Sequence, residues 1–189
     1  YKNEAESSKC LIVVPTRELA IQIDQQMQGL SYFTRLNSIA VYGGGDGDLF
    51  TQEKKALSEG VSVITATPGR LIAHLKMGYV NMESLHFLVL DEADRMLDMG
   101  FHQDIQKIIS FLPKKRQNLM FSATMPPKIK TLAKEVLNNP EEINVGVSVP
   151  AEKIIQVGFV VYDNQKIPMI EHVLSVGNFL SIIIFCSTK

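Results

Sequence analysis

The run Phe87-Leu88-Val89-Leu90 passes directly into Asp91-Glu92-Ala93-Asp94, and this junction limits the folds open to the chain more than any other stretch. Four consecutive apolar residues leave no polar side for water. They read as a short strand buried on both faces, as in a parallel sheet covered by helices. The acids that follow then lie at the carboxyl end of that strand. Carboxylates are strongly hydrated and costly to bury without partners, and in open α/β sheets ligands bind just outside the carboxyl ends of the strands. A divalent cation with phosphates suits such a cluster, because hard cations take oxygen donors. A solvated helix start, where negative charge is favoured, is the competing reading of the same residues.

Other stretches repeat the pattern of apolar run, turn and helix. Tyr1 to Ser8 is polar and without periodicity. Cys10 to Val14 is a buried run ended by Pro15, which has no N–H for a ladder. Thr16 can cap the helix that follows, and Leu19, Ile23, Met27 and Leu30 predict its buried stripe. Ser38 to Tyr42 reads as a strand ended by Gly43-Gly44-Gly45, and Leu49 to Leu57 as a short helix. Val61 to Thr65 is a further strand. Thr67 then caps, Pro68 takes the first helical position, and Leu71, Ile72 and Leu75 form the buried face. Ile105, Ile108, Ile109 and Leu112 set another helix, with Met96 and Met99 read as packing. Asn118 to Phe121 is a strand, followed by Ser122-Ala123-Thr124 and a helix from Pro126 to Leu137. Asp91 to Ser122 spans 31 positions (122 − 91), the length of one β-α-β step. Parallel neighbours are therefore expected, with the hydroxyls beside the acids.

Beyond this, Glu142 to Val145 reads as a last strand and Gly146 to Glu152, with Pro150, as a linker. Ile154 to Tyr162 (strand), Gln165 to Val176 (helix) and Ser181 to Phe185 (strand) then open a second unit. The expected division is 1–145, a linker at 146–153, and 154–189.

The strand exits carry the chemistry. Thr16-Arg17 and Thr67-Pro68-Gly69-Arg70 each join a strand end to a helix start with an arginine, a ready phosphate site. A plain capped helix with a surface arginine is the commoner outcome of such local features. The glycine triplet permits close backbone approach and positive φ, though alone it is usually a turn. Two helix N-termini with an arginine each, on one sheet edge, could grip successive phosphates without reading bases.

In order, Pro15-Thr16-Arg17-Glu18-Leu19-Ala20, Gly43-Gly44, Thr67-Pro68-Gly69-Arg70, Asp91-Glu92-Ala93-Asp94 and Ser122-Ala123-Thr124 resemble the motif series of the DEAD-box ATP-dependent RNA helicases. The resemblance runs from about Cys10 to Lys189; each motif is weak alone and specific as a set. It implies an α/β fold of the three-layer P-loop NTPase (RecA-like) type, a parallel sheet with helices on both faces, truncated at both ends. Residues 1–145 would be most of a first helicase domain and 154–189 the opening of a second. The resemblance also implies ATP and Mg²⁺ as cofactors. Asp91 would hold the metal through water, and Glu92 would orient and activate the attacking water. Asp94 would bond Ser122 and Thr124, linking nucleotide state to RNA grip. Pro15, Thr16, Arg17, Glu18, Gly43, Gly44, Thr67, Pro68, Gly69 and Arg70 would contact RNA. The sequence departs from the family pattern in having no GxxxxGK[ST] phosphate loop, no glutamine-containing adenine motif and no second-domain arginines. The chain alone is therefore expected to hydrolyse ATP negligibly.

Bulk properties bound this reading. At 189 residues and 46% hydrophobic, the chain can bury one sizeable core. A net charge of −1 supplies no global field for nucleic acid, so contact must be local and weakly salt-driven. Cys10 and Cys186 have no CxxC spacing and read as free thiols in a reducing compartment. No run approaches the roughly 20 apolar residues of a membrane span, and no signal-peptide pattern opens the chain. A cytoplasmic protein is expected. The alternatives are an RNA- or protein-binding remnant that works without ATP, and a DNA-acting helicase relative, which 2′-OH contacts would separate from an RNA enzyme.

Overall fold

The computed structural model describes residues 8–34, 36–44, 47–145, 155 and 157–186. In order, the elements are β1 (Cys10–Val13), α1 (Arg17–Ser31), β2 (Ser38–Val41), α2 (Gly47–Glu59), β3 (Val63–Ala66), α3 (Pro68–Lys76), β4 (Phe87–Leu90), α4 (Ala93–Asp98), α5 (His102–Ser110), β5 (Gln117–Met120), α6 (Pro127–Val136), a 3-10 turn (Asp163–Gln165) and α7 (Lys166–Val176). The chain divides into two compact units, Tyr1–Glu141 and Glu142–Lys189.

The first unit is built on one parallel sheet in the order β2-β3-β1-β4-β5. Leu11 stands opposite Ile64 on one side and Leu88 on the other. All four residues of β3 are buried, so the sheet is covered on both faces there. Leu11, Ile64, Leu88 and Leu90 of the strands meet Leu71, Met96, Ile105, Ile108, Ile129 and Leu132 of the helices in one apolar core. Each strand is parallel to its neighbours, so every chain return must cross the sheet by a helix.

Two local expectations change. The stripe Leu19, Ile23, Met27, Leu30 is only partly the buried side of α1: Leu19, Ile23 and Met27 are half-buried, the fully buried residues are Ala20 and Asp24, and Leu30 is 76% exposed. A helix of 15 residues is about 22 Å long, whereas a four-residue strand is about 13 Å. The last turns of α1 therefore overhang the sheet, and small Ala20 makes the close approach. Thr67 stands at the N-cap of α3 with extended backbone, but its side chain makes no capping bond; Pro68 presets the first turn instead. Thr16 does cap α1, its hydroxyl accepting from the Leu19 N–H at 3.3 Å.

In the second unit α7 and its preceding turn form as expected. Glu142 to Val145 is not a strand, and the described parts of 154–162 and 181–185 carry no ladder. Parallel strands are stable only within a sheet that buries their faces, and two short ones with one helix do not supply it. Residues 1–7, Gly45 and the whole of the expected linker 146–153 lie outside the described residues.

Candidate functional site

Because the sheet is all parallel, its five carboxyl ends share one edge. Across that edge the exits run Tyr42-Gly43-Gly44, Thr67 to Arg70, Pro15 to Glu18, Asp91 to Asp94, then Ser122 to Thr124. Backbone bonds carry the ladder past the strand ends and tie each exit to the next. Thr67 N–H donates to Val41 C=O at 3.0 Å, Val14 to Ala66 at 3.0 Å, Asp91 to Val13 at 3.0 Å, and Phe121 to Leu90 at 2.8 Å.

The acidic exit is locally self-organised. Asp91 Oδ1 accepts from the Glu92 N–H at 2.9 Å. Glu92 is the N-cap of α4 and sits at φ 49°, ψ 50°. This left-handed conformation is unfavourable for a side chain with a Cβ and is typical of functional turns. It turns the Glu92 side chain towards solvent, where Oε2 lies 3.2 Å from the Arg95 guanidinium. An exposed pair of that kind contributes little to stability.

Asp94 reaches across to the next exit. Its Oδ2 accepts from the Thr124 hydroxyl at 2.7 Å and from the Thr124 N–H at 3.0 Å, while Oδ1 accepts from the Arg95 N–H at 3.1 Å. The Ser122 hydroxyl donates to the Thr124 carbonyl at 2.7 Å. Burial alone would raise the Asp94 pKa, but the bonds from Thr124, Arg95 and Ser122 outweigh it and hold the carboxyl below its usual range. Asp94 thus bonds Thr124 in the exit that follows β5, while the Ser122 hydroxyl is engaged with the Thr124 carbonyl. No group of three or more His, Cys, Asp or Glu that could hold a metal is found among the described residues. Asp91 is the half-buried carboxylate at the strand tip, and its Oδ2 accepts no bond among the described residues.

The three exits on the other side form a second group. Arg17 is exposed, and its guanidinium lies 4.9 Å from the Tyr42 ring centre. Gly44 has φ 89°, a conformation that favours glycine, and Gly43 and Gly69 both face open space where a side chain would stand. Pro15 is buried, Thr16 is engaged in its cap, and Glu18 is exposed in the first turn of α1.

Arg70 differs from the sequence expectation of a free phosphate-gripping arginine. Its side chain is only 16% exposed, its Nε lies 2.6 Å from Glu53 Oε2, and its guanidinium stacks 4.5 Å from the Phe50 ring. A buried carboxylate draws it back into the protein. Glu53, 1% exposed, also accepts from the Tyr42 N–H at 3.1 Å through Oε1, and its Oε2 lies 2.9 Å from His74 Nε2. His74 Nδ1 bonds in turn to the Tyr79 hydroxyl, and the imidazole stacks on Phe50. Burial pushes the Glu53 pKa up; bonds from His74, Arg70 and Tyr42 and the Arg70 charge more than reverse this. Burial, then the Glu53 charge, raises the Tyr79 pKa. Glu53, His74, Tyr79 and Tyr42 were not anticipated as site residues. The available signal was an acid at helical spacing within an apolar face, Phe50-Glu53-Leu57.

An all-parallel sheet covered by helices, with an acidic exit bonded to a hydroxyl exit and an arginine-glycine group beside them, defines a RecA-like α/β domain of the P-loop NTPase type. The family model described as DEAD/DEAH box helicase matches residues 2–132, and the chain belongs to that family. It is 36% identical over 185 residues to the ATP-dependent RNA helicase DeaD of Buchnera aphidicola subsp. Schizaphis graminum, covering 97% of this chain and 30% of the relative. Identity to the ATP-dependent RNA helicase DbpA of Bacillus subtilis is 36% over 182 residues, covering 96% of this chain and 37% of the relative. Identity to the ATP-dependent RNA helicase DBP2 of Saccharomyces cerevisiae is 41% over 184 residues, covering 95% and 33%. The chain spans about a third of the length of these relatives.

Proposed function

We propose that the chain is the part of an ATP-dependent RNA helicase in which a nucleotide-handling edge adjoins an RNA-gripping edge. The observation that carries this reading is the sheet order. It separates the exits of β2, β3 and β1 from those of β4 and β5 and bonds the last two through Asp94 and Thr124. Phosphoryl transfer is mostly positioning and charge stabilisation, which small groups fixed at strand tips can provide. Asp91, with one oxygen free of protein bonds, fits a magnesium ion that keeps several waters and takes phosphate oxygens. When bound, the ion would neutralise charge on the phosphates. Glu92, turned outward by its backbone, would orient and deprotonate the attacking water. Asp94 would pass the state of that site to the Ser122–Thr124 exit.

On the other edge, Arg17 and the open backbone at Gly43, Gly44 and Thr67 to Gly69 would follow a single sugar-phosphate strand. Such contacts carry no base readout, so binding is independent of sequence. RNA is the partner, and the work is local duplex opening or rearrangement of RNA–protein complexes. The two cysteines are free thiols, in keeping with a reducing cytoplasmic location. No helix among the described residues is long and apolar enough to cross a membrane.

The test is ATP hydrolysis by the chain extended with an upstream phosphate loop, with and without single-stranded RNA. RNA-stimulated hydrolysis that is lost in Glu92→Gln is expected; an extended protein inert with RNA, ATP and magnesium would end the proposal. The 189-residue chain alone should show negligible turnover, because it carries no GxxxxGK[ST] loop.

A further inference from the structure

Glu53 touches two of the three exits on the RNA side and reaches the third through one side chain. Through Oε1 it accepts the backbone N–H of Tyr42, the residue before Gly43-Gly44. Through Oε2 it holds Arg70, the last residue of the Thr67–Arg70 turn. The Tyr42 ring lies beneath the Arg17 guanidinium, which brings in the exit of β1. Arg17, Tyr42, Glu53 and Arg70 thus form one line of contacts behind the edge. The carboxylate at its centre is held in turn by His74, itself fully buried and bonded to Tyr79.

Glu53 cannot itself meet a phosphate. It is negatively charged and 99% enclosed, and Arg70 is committed inward, with its Nη2 also buried. A buried carboxylate with three donors is expensive to assemble and strongly directional, so its geometry fixes whatever holds it. We propose that Glu53 is a positioning residue that locks the Gly43-Gly44 exit and the Thr67–Arg70 turn in one register for a single-stranded RNA backbone, with Arg70 acting as an internal strut. This rests on the RNA-gripping reading above and reassigns Arg70 within it.

Glu53→Gln keeps the shape but supplies one acceptor and one donor where two acceptors stood. Whichever way the amide turns, it faces an N–H donor, from Tyr42 or from Arg70. Hydrogen exchange of the Tyr42 amide and the NMR signal of Arg70 Nε–H report the clamp; Leu11 in β1 reports the fold. Anisotropy of a labelled oligouridylate, titrated at several salt concentrations, reports the grip. In Glu53→Gln either the Tyr42 amide should exchange roughly tenfold faster or the Arg70 Nε–H signal should move, with Leu11 unchanged, and RNA affinity should fall roughly tenfold, about the worth of one charge-assisted bond. The slope of log affinity against log salt should stay the same, since no phosphate contact is lost. Arg17→Ala should lower that slope by about 0.7.

Unchanged Tyr42 exchange together with an unchanged Arg70 Nε–H signal would overturn the clamp. RNA binding equal to or tighter than that of the parent chain, despite a loosened clamp, would overturn its positioning role. If Glu53→Gln does not fold, Arg70→Gln removes the charge and the planar stack on Phe50 and should weaken binding at constant slope; a slope reduced by about 0.7 there would make Arg70 a phosphate contact and refute the strut. If the unmodified chain binds no RNA, the helicase reading fails, while the exchange rates still decide the clamp.

Discussion

The bond between Asp94 and Thr124 joins the exits of β4 and β5, and its strength can be isolated. Thr124→Val removes the hydroxyl that donates at 2.7 Å and leaves the backbone N–H bond at 3.0 Å in place. Asp94→Asn removes the charge and turns an amide donor towards either Thr124 or the Arg95 N–H. A hydrogen bond to a charged group is worth about 1.5–3 kcal/mol when shielded. This one is exposed, where ion-type interactions drop to about 1 kcal/mol or less. The coupling energy between the two side chains should therefore be about 0.5–1 kcal/mol. Urea unfolding of the parent, both single variants and the double variant measures it directly. Each single variant should lose about 1 kcal/mol, and the double should lose clearly less than their sum. Losses that add to within about 0.3 kcal/mol would show that the hydroxyl and carboxylate do not support each other. The link assigned to them would then have no energetic content.

Acid should unfold the first unit in a particular window. Glu53 and Asp94 both have folded pKa values below their ordinary ones. Their stabilisation is therefore complete above the ordinary carboxylate range near pH 4 and is lost as pH falls through the folded values. Urea midpoints should be flat from about pH 8 to 5.5 and decline below that, with a shallower decline in Asp94→Asn; a midpoint that rises on acidification would contradict the assignment. Glu92→Gly, which relieves the left-handed strain at φ 49°, should leave stability unchanged or raise it by up to about 1 kcal/mol. It should also abolish RNA-stimulated hydrolysis in the extended protein. Destabilisation by more than about 1 kcal/mol would mean the strain is compensated by contacts not yet recognised.

The sheet was legible because its signals are local. Cys10–Val13, Val63–Ala66 and Phe87–Leu90 are short apolar runs flanked by turn residues, and each became a strand; β3 is buried throughout, whereas β1 and β4 are fully buried only at alternate residues and Phe87 is exposed. One β-α-β length placed residues 122–124 beside the acids, and the family resemblance implied that Asp94 bonds them. The Glu53 hub was not legible, because its partners are distant: Tyr42 lies 11 positions before it, Arg70 17 after and His74 21 after. No periodicity links such residues, and a lone glutamate in a helix normally faces water. The same gap hid the Arg70–Glu53 pair. Sequence puts an arginine at a helix start; only the fold shows a buried carboxylate beneath it. The strands expected after residue 141 failed for a related reason, since extended runs need neighbours that local pattern does not provide.

The crossover order also decides where the two edges meet. The motifs follow the chain as β1, β2, β3, β4, β5, yet β1 lies in the middle of the sheet, between β3 and β4. Of the three exits proposed to grip RNA, that of Arg17 therefore borders the acids, and the seam is bridged by the Asp91 N–H on the Val13 carbonyl at 3.0 Å. On the helicase reading, a change at Asp91 reaches the Pro15–Arg17 turn through a single backbone hydrogen bond to its neighbour strand. It then continues to Tyr42 through the Arg17 guanidinium, and to Glu53 through the Tyr42 amide. Asp94 and Thr124 lead the opposite way, towards β5. The acidic exit is thus tied on both sides by bonds of about 3 Å, and each tie ends on a different functional group. Such a centre can bias the RNA-side exits and the Ser122–Thr124 exit at once without any moving helix, because the strand tips themselves are the connection.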